Sequence, residues 1–569
     1  MKDTTKPPQP IQAALSLADE NHQLRQEVDI LTNKLVFLGE LVQQLRDEIA
    51  VLKGQKPRPK FPPSKLESKQ NSSDQPDNPD PNKPSPKKKE KPGQPKGKKR
   101  KKKKTILEIH NDVVLQPAII PEGAIFKGYK RYSVQDIIIK TNNTQYLRAR
   151  YKLPDGSYVM GELPPNIHGH YGPEIITYIF DQYHSCRVTE PLLLAQLHAR
   201  GVLISAGQLN NILIQDNSLY EQEVNELLVV GIEADNQVQV DDTGGRHDGD
   251  NQYTTIIGNR WFSVFTTTDS KSRINFLKLL QGNREHYLIN EDTIAYLVQC
   301  KASSYLPGYI AMHQGDKYTT LDAWKQFMKG LNINQANDVR FLTEAALFAS
   351  LFEHGIPRDL LIHSDDAGQF DVVLFVNTLC WIHEERHYRK LIMTTDEARA
   401  DLELVKGQIW TFYQTLKAYK TNPNQQVIAV IEKQFDDIFQ QKTSSPTLDH
   451  QLKKTYGKKK QLLGVLKRPD SPLHNNRSET DARAAKIKLK ISGGTRSDVG
   501  RVSRDTFLSL KQTCLKLGLN FITFLQDRVR GLYNIPKLAE IIRQRASAAV
   551  SDLPSIGLPL EPISLTLAS

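Results

Sequence analysis

Cysteine is scarce in this chain, with only Cys186, Cys300, Cys380 and Cys514 among 569 residues. Four such widely separated residues exclude a Cys-x-x-Cys zinc ribbon and an extracellular disulfide framework, and they fit a reducing compartment. The sequence also lacks a charged and then apolar leader at its N-terminus, and any run of 18 or more apolar residues. We therefore expect a cytoplasmic protein with no membrane partner.

The length and the charge distribution indicate several domains and one strongly basic segment. At roughly 150 residues per domain, the chain can form several domains with ample core, and its 38% hydrophobic content suits a globular protein. The net charge of +12 favours a polyanionic partner. The segment from Gly54 to Lys104 carries 18 Lys and Arg against 5 Asp and Glu, so the rest of the chain sums to −1.

Residues 10–53 carry the pattern of a coiled coil. From Leu17 to Leu52, seam positions alternate in steps of four and three, and all are apolar except Asn21. A strict repeat of 3.5 residues indicates a narrow seam, whereas the alternative, one amphipathic helix packed on its own domain, has a broader apolar face. We expect this helix to form a homo-oligomer or to pair with a cognate helix.

Residues 54–104 are predicted to form a disordered basic linker. They contain 11 prolines and no aromatic residue except Phe61, so they cannot bury enough apolar surface to offset the entropy lost on ordering. The linker ends in seven cations, Lys98, Lys99, Arg100, Lys101, Lys102, Lys103 and Lys104. Such a run can bind DNA phosphates whatever the base sequence, although a solvated tail or a nuclear-localisation signal has the same composition.

Residues 105–230 are predicted to form a small β-rich segment (105–165) followed by a helical region (166–230). Strand patterns cover 133–140 and 145–152, and a Pro-Asp-Gly turn separates the latter from a strand at 158–160. Thr189 can cap a helix that ends before Gly201, and a second helix starts at Ser205. The short connection allows a helix-turn-helix that binds DNA, although helical hairpins are also common scaffolding.

Three acidic residues lie where a polar active site would need them. Strand patterns end at Asp241-Asp242, after 237–240, and at Asp365-Asp366, after the apolar run 360–362; a further hairpin is predicted around Gly258-Asn259. Glu479 falls in the first turn of a helix, where the helix dipole favours an anion. Hard oxygen ligands of this kind can hold two Mg²⁺ for phosphoryl transfer. Taken singly, any of these acids could equally be a surface residue.

Four motifs make these acids more specific in combination. Residues 240–246 read Val-Asp-Asp-Thr-Gly-Gly-Arg, residues 364–366 and 380–383 read Ser-Asp-Asp and Cys-Trp-Ile-His, and residues 474–483 read His-Asn-Asn-Arg-Ser-Glu-Thr-Asp-Ala-Arg. In this order they resemble the Asp-Glu-Thr-Gly-Trp-Arg, Ser-Asp-Gly, Cys-Trp-Ala-His and Asp-Asn-Asn-x-x-Glu-Arg-Ala-Leu-Arg motifs of the insertion-sequence-sixty-six family of bacterial transposases. The resemblance extends from about Leu17 to Arg530, because that family also places a coiled coil before a basic segment.

The resemblance implies a multidomain α+β and α/β chain with a ribonuclease-H-like catalytic core of the Asp-Asp-Glu type. Asp241, Asp365 and Glu479 would then be the catalytic triad and the ligands of two Mg²⁺ or Mn²⁺ ions. The core would comprise 231–394 and 467–500, with a helical insertion at 395–466, C-terminal helices at 501–545 and a tail at 546–569. Residues 105–165 occupy the place of the family's zinc-binding segment but contain no cysteine, so no zinc site is expected.

The same resemblance implies a DNA transposase that cuts and joins strands at the ends of an insertion sequence. Its partners would be double-stranded DNA, further copies of the chain and accessory proteins of the same element, in the bacterial cytoplasm at the nucleoid. Besides the linker cations, six residues near the motifs are predicted to contact DNA. They are Arg246, Asn476, Lys486, Lys488, Lys490 and Arg496. The three lysines alternate, which places them on one face of an extended strand, and Gly493-Gly494-Thr495-Arg496 reads as a phosphate-binding turn.

Two other functions are compatible with parts of the sequence. His383-Glu384-x-x-His387 matches the helical zinc-protease signature, but Tyr388-Arg389-Lys390-Leu391 follows it instead of a glycine-containing extension with a third ligand. A non-catalytic or domesticated coiled-coil DNA-binding protein would use only the linker and the helix-turn-helix. The triad in family order favours the transposase over both.

Overall fold

The structure is a computed structural model that describes residues 109–167, 169–282 and 284–551. The coiled coil predicted at 10–53 and the linker predicted at 54–104, with Lys98–Lys104, lie outside the described residues. The chain divides into two units, 1–130 and 131–569. In the first unit, the described residues 109–130 are exposed and form no helix or strand.

The β-rich segment contains one short antiparallel hairpin. Strand β1 (Arg150–Lys152) pairs with β2 (Tyr158–Met160), and the Asp155 carboxylate accepts a hydrogen bond from the Ser157 amide at 2.9 Å in the predicted turn. The strand predicted at 133–140 is wrong: these residues are exposed and have no regular structure. A strand needs a partner for its backbone groups, and a β-branched composition alone does not supply one.

The helical region that follows begins where its capping residues indicate. It contains α1 (Pro173–Phe180), α2 (Glu190–Ala199), α3 (Ala206–Ile214) and α4 (Ser218–Asp235). Thr189 is the N-cap residue of α2, and Ser205 forms a capping box with Gln208 at the start of α3. These two predicted helix starts are confirmed; that the pair reads DNA stays a prediction.

Most of the second unit lies between Gln237 and Ser551. Its next elements are β3 (Gln237–His247), β4 (Asp250–Gly258), β5 (Ser263–Thr268), α5 (Arg273–Leu280), β6 (Tyr287–Leu288), α6 (Glu291–Gln299), α7 (Leu306–Ala311), β7 (Lys317–Tyr318), α8 (Leu321–Gly330), α9 (Ala336–Leu351), β8 (Leu361–Ser364) and β9 (Val376–Leu379). They are followed by α10 (Trp381–Arg389), α11 (Asp396–Thr421), α12 (Ile428–Phe439), α13 (Pro446–Gly457), α14 (Lys459–Leu462), α15 (Asn476–Ser492), α16 (Asp498–Lys516), α17 (Phe521–Val529) and α18 (Leu538–Ser551). The last helix therefore continues past 546, where the sequence predicted a tail.

A five-stranded mixed sheet lies at the centre of this mixed α/β unit. The strand order is β5-β4-β3-β8-β9; the first three strands are antiparallel, and β3, β8 and β9 are parallel. Helix α15 packs against β3 and β4, and α16 packs against β5. The carboxylate of Asp505 on α16 accepts a hydrogen bond from the Thr267 amide at 2.7 Å, which satisfies an otherwise unpaired edge-strand group.

The two hairpins of this sheet differ from the prediction. The β3–β4 turn is Asp248-Gly249, and both residues have positive φ values, 47° and 86°, as a two-residue hairpin turn requires. The β4–β5 connection is not the predicted two-residue turn at Gly258-Asn259 but a four-residue loop, 259–262. The Asn259 side chain donates to the Gly231 carbonyl at 2.7 Å, which fixes this longer loop against α4.

The helical stretch between α10 and α15 has a hydrophobic core of its own. This core is separate from the main core around the sheet, and its largest fully buried side chains are Trp381, Tyr388, Phe412, Phe435 and Phe439. The sequence predicts helices in this stretch, and α11 to α14 form there. A separate core means that a substitution in this stretch can be destabilising without altering the sheet.

Candidate active site

Asp241 and Asp365 are brought together by the parallel pairing of β3 with β8. This pairing ends at Gln239 and His363, so Asp241 lies two residues beyond it on β3 and Asp365 directly follows the end of β8. The prediction that the first strand ends at Val240 is wrong, because β3 continues to His247 as the partner of β4. Asp241 therefore lies within a strand, held on one side only, next to the end of its shorter neighbour.

The charges of the two acids interact. Burial and the negative charge of Asp365 together raise the pKa of Asp241 to about 6. Burial also raises the pKa of Asp242, whose carboxylate accepts hydrogen bonds from Thr255 at 2.6 Å and Gln369 at 2.7 Å. We call Asp241, Asp242 and Asp365 the acidic centre. Its negative charge is concentrated in a partly buried place, which destabilises the fold and is typical of a functional site.

Glu479 lies in the first turn of α15, as predicted, and contacts residues of α10. The Arg386 guanidinium is 3.4 Å from the Glu479 carboxylate, and His383 Nε2 is 3.6 Å from it. Burial and the charge of Arg386 lower the pKa of His383, and the charges of Asp365 and Glu479 oppose that shift. His383 therefore lies near both Asp365 and Glu479, which connects α10 with the second and third predicted catalytic acids.

Asn475 links the segments that carry the acids. It is fully buried, and its side-chain amide donates to the carbonyl of Val240 at 2.9 Å, one residue before Asp241. Its main-chain amide lies 3.2 Å from the Cys380 sulfur, and its carbonyl accepts the hydrogen bond of the Glu479 amide at 3.0 Å. Sequence reasoning missed this role and selected the neighbouring Asn476, which is exposed at the start of α15.

We expect Asn475→Ala to lower both stability and DNA cleavage. The substitution leaves the buried Val240 carbonyl without its donor, which costs about 1–3 kcal/mol, and it loosens the start of α15 relative to β3. Asn476→Ala is the matched control, since that side chain is exposed. Chemical denaturation and a cleavage assay should separate the two variants; equal unfolding midpoints would contradict the role of Asn475.

The interaction between Asp241 and Asp365 predicts a pH-dependent stability in the presence of a chelator. The folded pKa of Asp241, about 6, exceeds its ordinary value of 3.8, so the folded protein binds the extra proton and loses stability as pH rises between these values. Asp241→Asn should therefore be more stable than the unsubstituted protein at pH 7.5, and this difference should shrink towards pH 4. Urea unfolding at both pH values measures it, with the exposed Asp322→Asn as control. A less stable Asp241→Asn protein at pH 7.5 would refute the expectation.

The predicted DNA contacts are only partly compatible with the structure. Arg246, Lys486, Lys490 and Arg496 are exposed. Lys488 is buried: its Nζ lies 3.6 Å over the Tyr183 ring and donates to the Tyr183 carbonyl at 3.2 Å. The assignment of Lys488 to DNA is therefore wrong. The three lysines lie on a helix rather than on a strand, so residues two apart point in different directions.

The helical spacing reveals a cation that sequence reasoning missed. Arg483, Lys486 and Lys490 follow Glu479 at intervals of four, seven and eleven, so they share its face of α15. Arg483 is exposed, like the two lysines. Reading the segment after Glu479 as a continuing helix would have identified this basic face.

The turn at residues 493–496 is hydrogen-bonded to the end of β3 and to the β3–β4 turn of the same chain. The Thr495 amide donates to the Arg246 carbonyl at 3.0 Å, and the Thr495 carbonyl accepts from the Asp248 amide at 2.8 Å. A Cβ at Gly494 would lie 2.6 Å from the Arg246 carbonyl oxygen, so the close approach requires glycine. The sequence predicted that this turn binds a phosphate, but the Thr495 amide is already hydrogen-bonded within the protein. The exposed Arg496 is therefore the candidate phosphate contact in this turn.

The zinc-protease motif is not arranged for that chemistry. Glu384 is buried and accepts hydrogen bonds from Thr455 at 2.6 Å and Lys458 at 2.9 Å. His383 instead faces Arg386, which donates to its Nε2 at 2.9 Å. A protease would need the Glu384 carboxylate for water activation, but here it neutralises a buried lysine.

The oxygen donors of the acidic centre fit a hard divalent cation. The like charges of the Asp241 and Asp365 carboxylates contribute to the raised pKa of Asp241. A Mg²⁺ ion held by these carboxylates would neutralise that repulsion. Across the ranges that the structure describes, no group of three His, Cys, Asp or Glu side chains is arranged to hold a metal ion. To join such a group, Glu479 would have to release Arg386 and bind the ion instead.

The fold and the site define a mixed α/β protein with one carboxylate on the central strand β3 of its sheet and another directly after the neighbouring strand β8. A family model described as "Transposase IS66 family" matches residues 363–502, which include Asp365 and Glu479 but not Asp241. The Sinorhizobium fredii (strain NBRC 101917 / NGR234) protein named "Uncharacterized protein y4jO" is 41% identical over 305 residues, 53% of this chain and 94% of that protein. The chain belongs to the IS66 transposase family, and the family resemblance predicted from its motifs is confirmed.

Membership of this family implies a transposase that acts on DNA. In the part of the chain that the structure describes, no helix combines the length and the apolar character needed to span a membrane.

Proposed function

We propose that this chain is an Asp-Asp-Glu transposase with a ribonuclease-H-like core, which cleaves and joins DNA strands at the ends of an insertion sequence. The observation that carries the proposal is the placement of Asp241 on β3 and of Asp365 directly after the neighbouring parallel strand β8, where burial and the charge of Asp365 together raise the pKa of Asp241 to about 6. The sheet order and the packing of α15 on β3 and β4 support the assignment of Glu479 as the third acid.

The three acids would hold two Mg²⁺ or Mn²⁺ ions, which supply activation of the attacking oxygen and stabilisation of the leaving oxygen. Other residues of this chain hold the acids and their segments in place. Asn475 holds the start of α15 against β3, and Thr255 and Gln369 hold the carboxylate of Asp242 in place. Arg386 neutralises Glu479 in the structure described here, so Glu479 would have to give up this contact to help hold an ion.

The exposed cations give a path for DNA towards these acids. The face of α15 that carries Glu479 also carries Arg483, Lys486 and Lys490. Arg246 lies near the end of β3, and Arg496 lies in the turn that is hydrogen-bonded to β3. Backbone phosphates can bind such a row of cations whatever the base sequence. The Lys98–Lys104 run would add non-specific affinity, and the coiled coil at 10–53 would bring two copies to paired element ends in the bacterial cytoplasm.

The proposal is tested with purified full-length protein and a supercoiled plasmid that carries the DNA flanking the gene on both sides. With Mg²⁺, we expect strand cleavage at the element ends and joining of the freed 3′ ends to target DNA. EDTA should abolish both reactions and leave DNA binding intact. Metal-independent binding without any cleavage would instead identify a non-catalytic DNA-binding protein, the alternative left by the sequence.

A further inference from the structure

Asp366, the residue after the proposed catalytic Asp365, has a left-handed backbone. Its φ is +79°, a region where a side chain crowds the following carbonyl and where glycine is free of that strain. Aspartate enters this region more readily than most residues, and a contact of its side chain can hold it there. We call the loop from Asp365 to Gln369 the 365 loop.

That contact comes from the helical stretch between α10 and α15. Lys458, which directly follows α13, places its Nζ 2.5 Å from the Asp366 carboxylate and 2.9 Å from the buried Glu384 carboxylate. The Lys458 side chain is 20% exposed, that of Glu384 is 4% exposed and that of Asp366 is 40% exposed. The buried Glu384 carboxylate therefore fixes the ammonium, and the ammonium offers Asp366 a partner of fixed position.

The other residues of the 365 loop have partners of their own. The Asp365 carboxylate accepts a hydrogen bond from the Ala367 amide at 3.2 Å. Arg273 donates to the Gly368 carbonyl, and Gln369 donates to Asp242, each at 2.7 Å. The loop is thus held from the α5 side and from the acidic centre, and Lys458 supplies the tie at its strained residue.

We propose that Lys458 is a positioning residue: by clamping the left-handed Asp366 it fixes the direction in which the neighbouring Asp365 carboxylate points. This rests on the proposed function, because it assumes that Asp365 acts in DNA cleavage. Lys458 acts through Asp366 and does not touch the reacting atoms. The helical stretch would thereby control the geometry of the site through one ion pair.

Two substitutions at Asp366 separate this role from others. Asp366→Ala removes the ion pair and keeps a Cβ in the left-handed region, whereas Asp366→Gly removes the ion pair and the strain together. We expect Asp366→Ala to lower the cleavage rate at saturating DNA by roughly 10- to 100-fold, the effect of a misplaced catalytic group, and Asp366→Gly to stay within about threefold of the unsubstituted rate. Mn²⁺ affinity, measured by calorimetry, should weaken in the alanine variant and be retained in the glycine variant.

The lysine is tested in a background that keeps Glu384 from becoming an unpaired buried charge. In a Glu384→Gln protein, Lys458→Met should slow cleavage as Asp366→Ala does, and adding Asp366→Gly should restore it. Lys459→Met is the matched control, because Lys459 is the next residue and pairs with Asp436 at 2.6 Å, away from the 365 loop. Its loss should leave the cleavage rate unchanged.

The outcomes are distinct. Equal cleavage rates for Asp366→Ala and Asp366→Gly, whether both high or both low, would overturn the proposal, as would failure of Asp366→Gly to rescue Lys458→Met. An Asp365→Asn protein assayed alongside reports on the proposed function itself. If that protein cleaves normally, the catalytic assignment fails; if it is inactive while the Asp366 pair behaves alike, only the clamp fails.

Discussion

Asp365→Asn protein is expected to lose DNA strand cleavage by roughly a thousandfold while binding DNA normally. If Asp365 is a metal ligand, as proposed, its loss removes several kcal/mol of charge stabilisation in the transition state. Asparagine keeps the oxygen that accepts the Ala367 amide, so the 365 loop should keep its shape. Cleavage of end DNA in Mg²⁺ and a filter or anisotropy measurement of DNA binding, both on purified protein, give the two readings.

The stability of the same variant distinguishes a lost ligand from a damaged fold. Removing the charge of Asp365 relieves its repulsion of Asp241, which raises the pKa of the latter, so Asp365→Asn should unfold at the same or a higher urea concentration at pH 7.5. Asp322→Asn, at an exposed acid in the first turn of α8, should leave cleavage unchanged and lower stability by no more than about 1 kcal/mol through the helix dipole. Near-normal cleavage by Asp365→Asn would rule out the proposed triad.

The parts of the fold that local sequence determines could be predicted. Ser205 caps the start of α3 through its side chain, and α2 starts after Thr189 with a proline in its first turn. Glu479 follows a loop rich in proline and asparagine, which places it in a first helical turn. The apolar run 360–362 identified β8, and the alternating pattern at 237–240 identified the start of β3. In each case the signal and the structure it specifies lie within a few residues of each other.

The errors arose where two local patterns compete. The Asp248-Gly249 pair is a strong hairpin signal, and counting it would have extended β3 past Asp241 to His247. The alternation of Lys486, Lys488 and Lys490 matches a strand, yet the same residues continue the helix that begins at Asn476. Lys488 is buried because it packs on Tyr183, which is distant in the sequence. The residues next to Lys488 give no signal that predicts this contact.

The contacts that link the segments carrying the acids could not be predicted from the sequence. Arg386 reaches Glu479 across 93 residues of chain, and Asn475 reaches Val240 across 235. Such contacts depend on the order of strands in the sheet and on the packing of α10 and α15. Family resemblance identified the acids, whereas only the structure shows which side chains position them.

Trp381, the tryptophan of the Cys-Trp-Ile-His motif, is expected to act through stability rather than chemistry. Its ring is 1% exposed, its centroid lies 5.4 Å from that of Phe412, and its Nε1 donates to the Leu462 carbonyl at 3.0 Å. Trp381→Ala should lower the free energy of unfolding by about 3–5 kcal/mol, because it leaves a large cavity in the core of the helical stretch. Denaturant unfolding monitored by circular dichroism measures this loss.

Two variants define how that loss should arise. Trp381→Phe keeps most of the ring and should cost only about 1–3 kcal/mol, from the unpaired Leu462 carbonyl and the smaller volume. Trp410→Ala, at the half-buried edge of the same core, should be milder than Trp381→Ala. If Trp381 acts only through stability, cleavage by Trp381→Ala should follow the fraction of protein that remains folded, although α10 also carries His383 and Arg386 beside Glu479. A protein of unchanged stability that no longer cleaves DNA would instead place Trp381 in contact with the substrate.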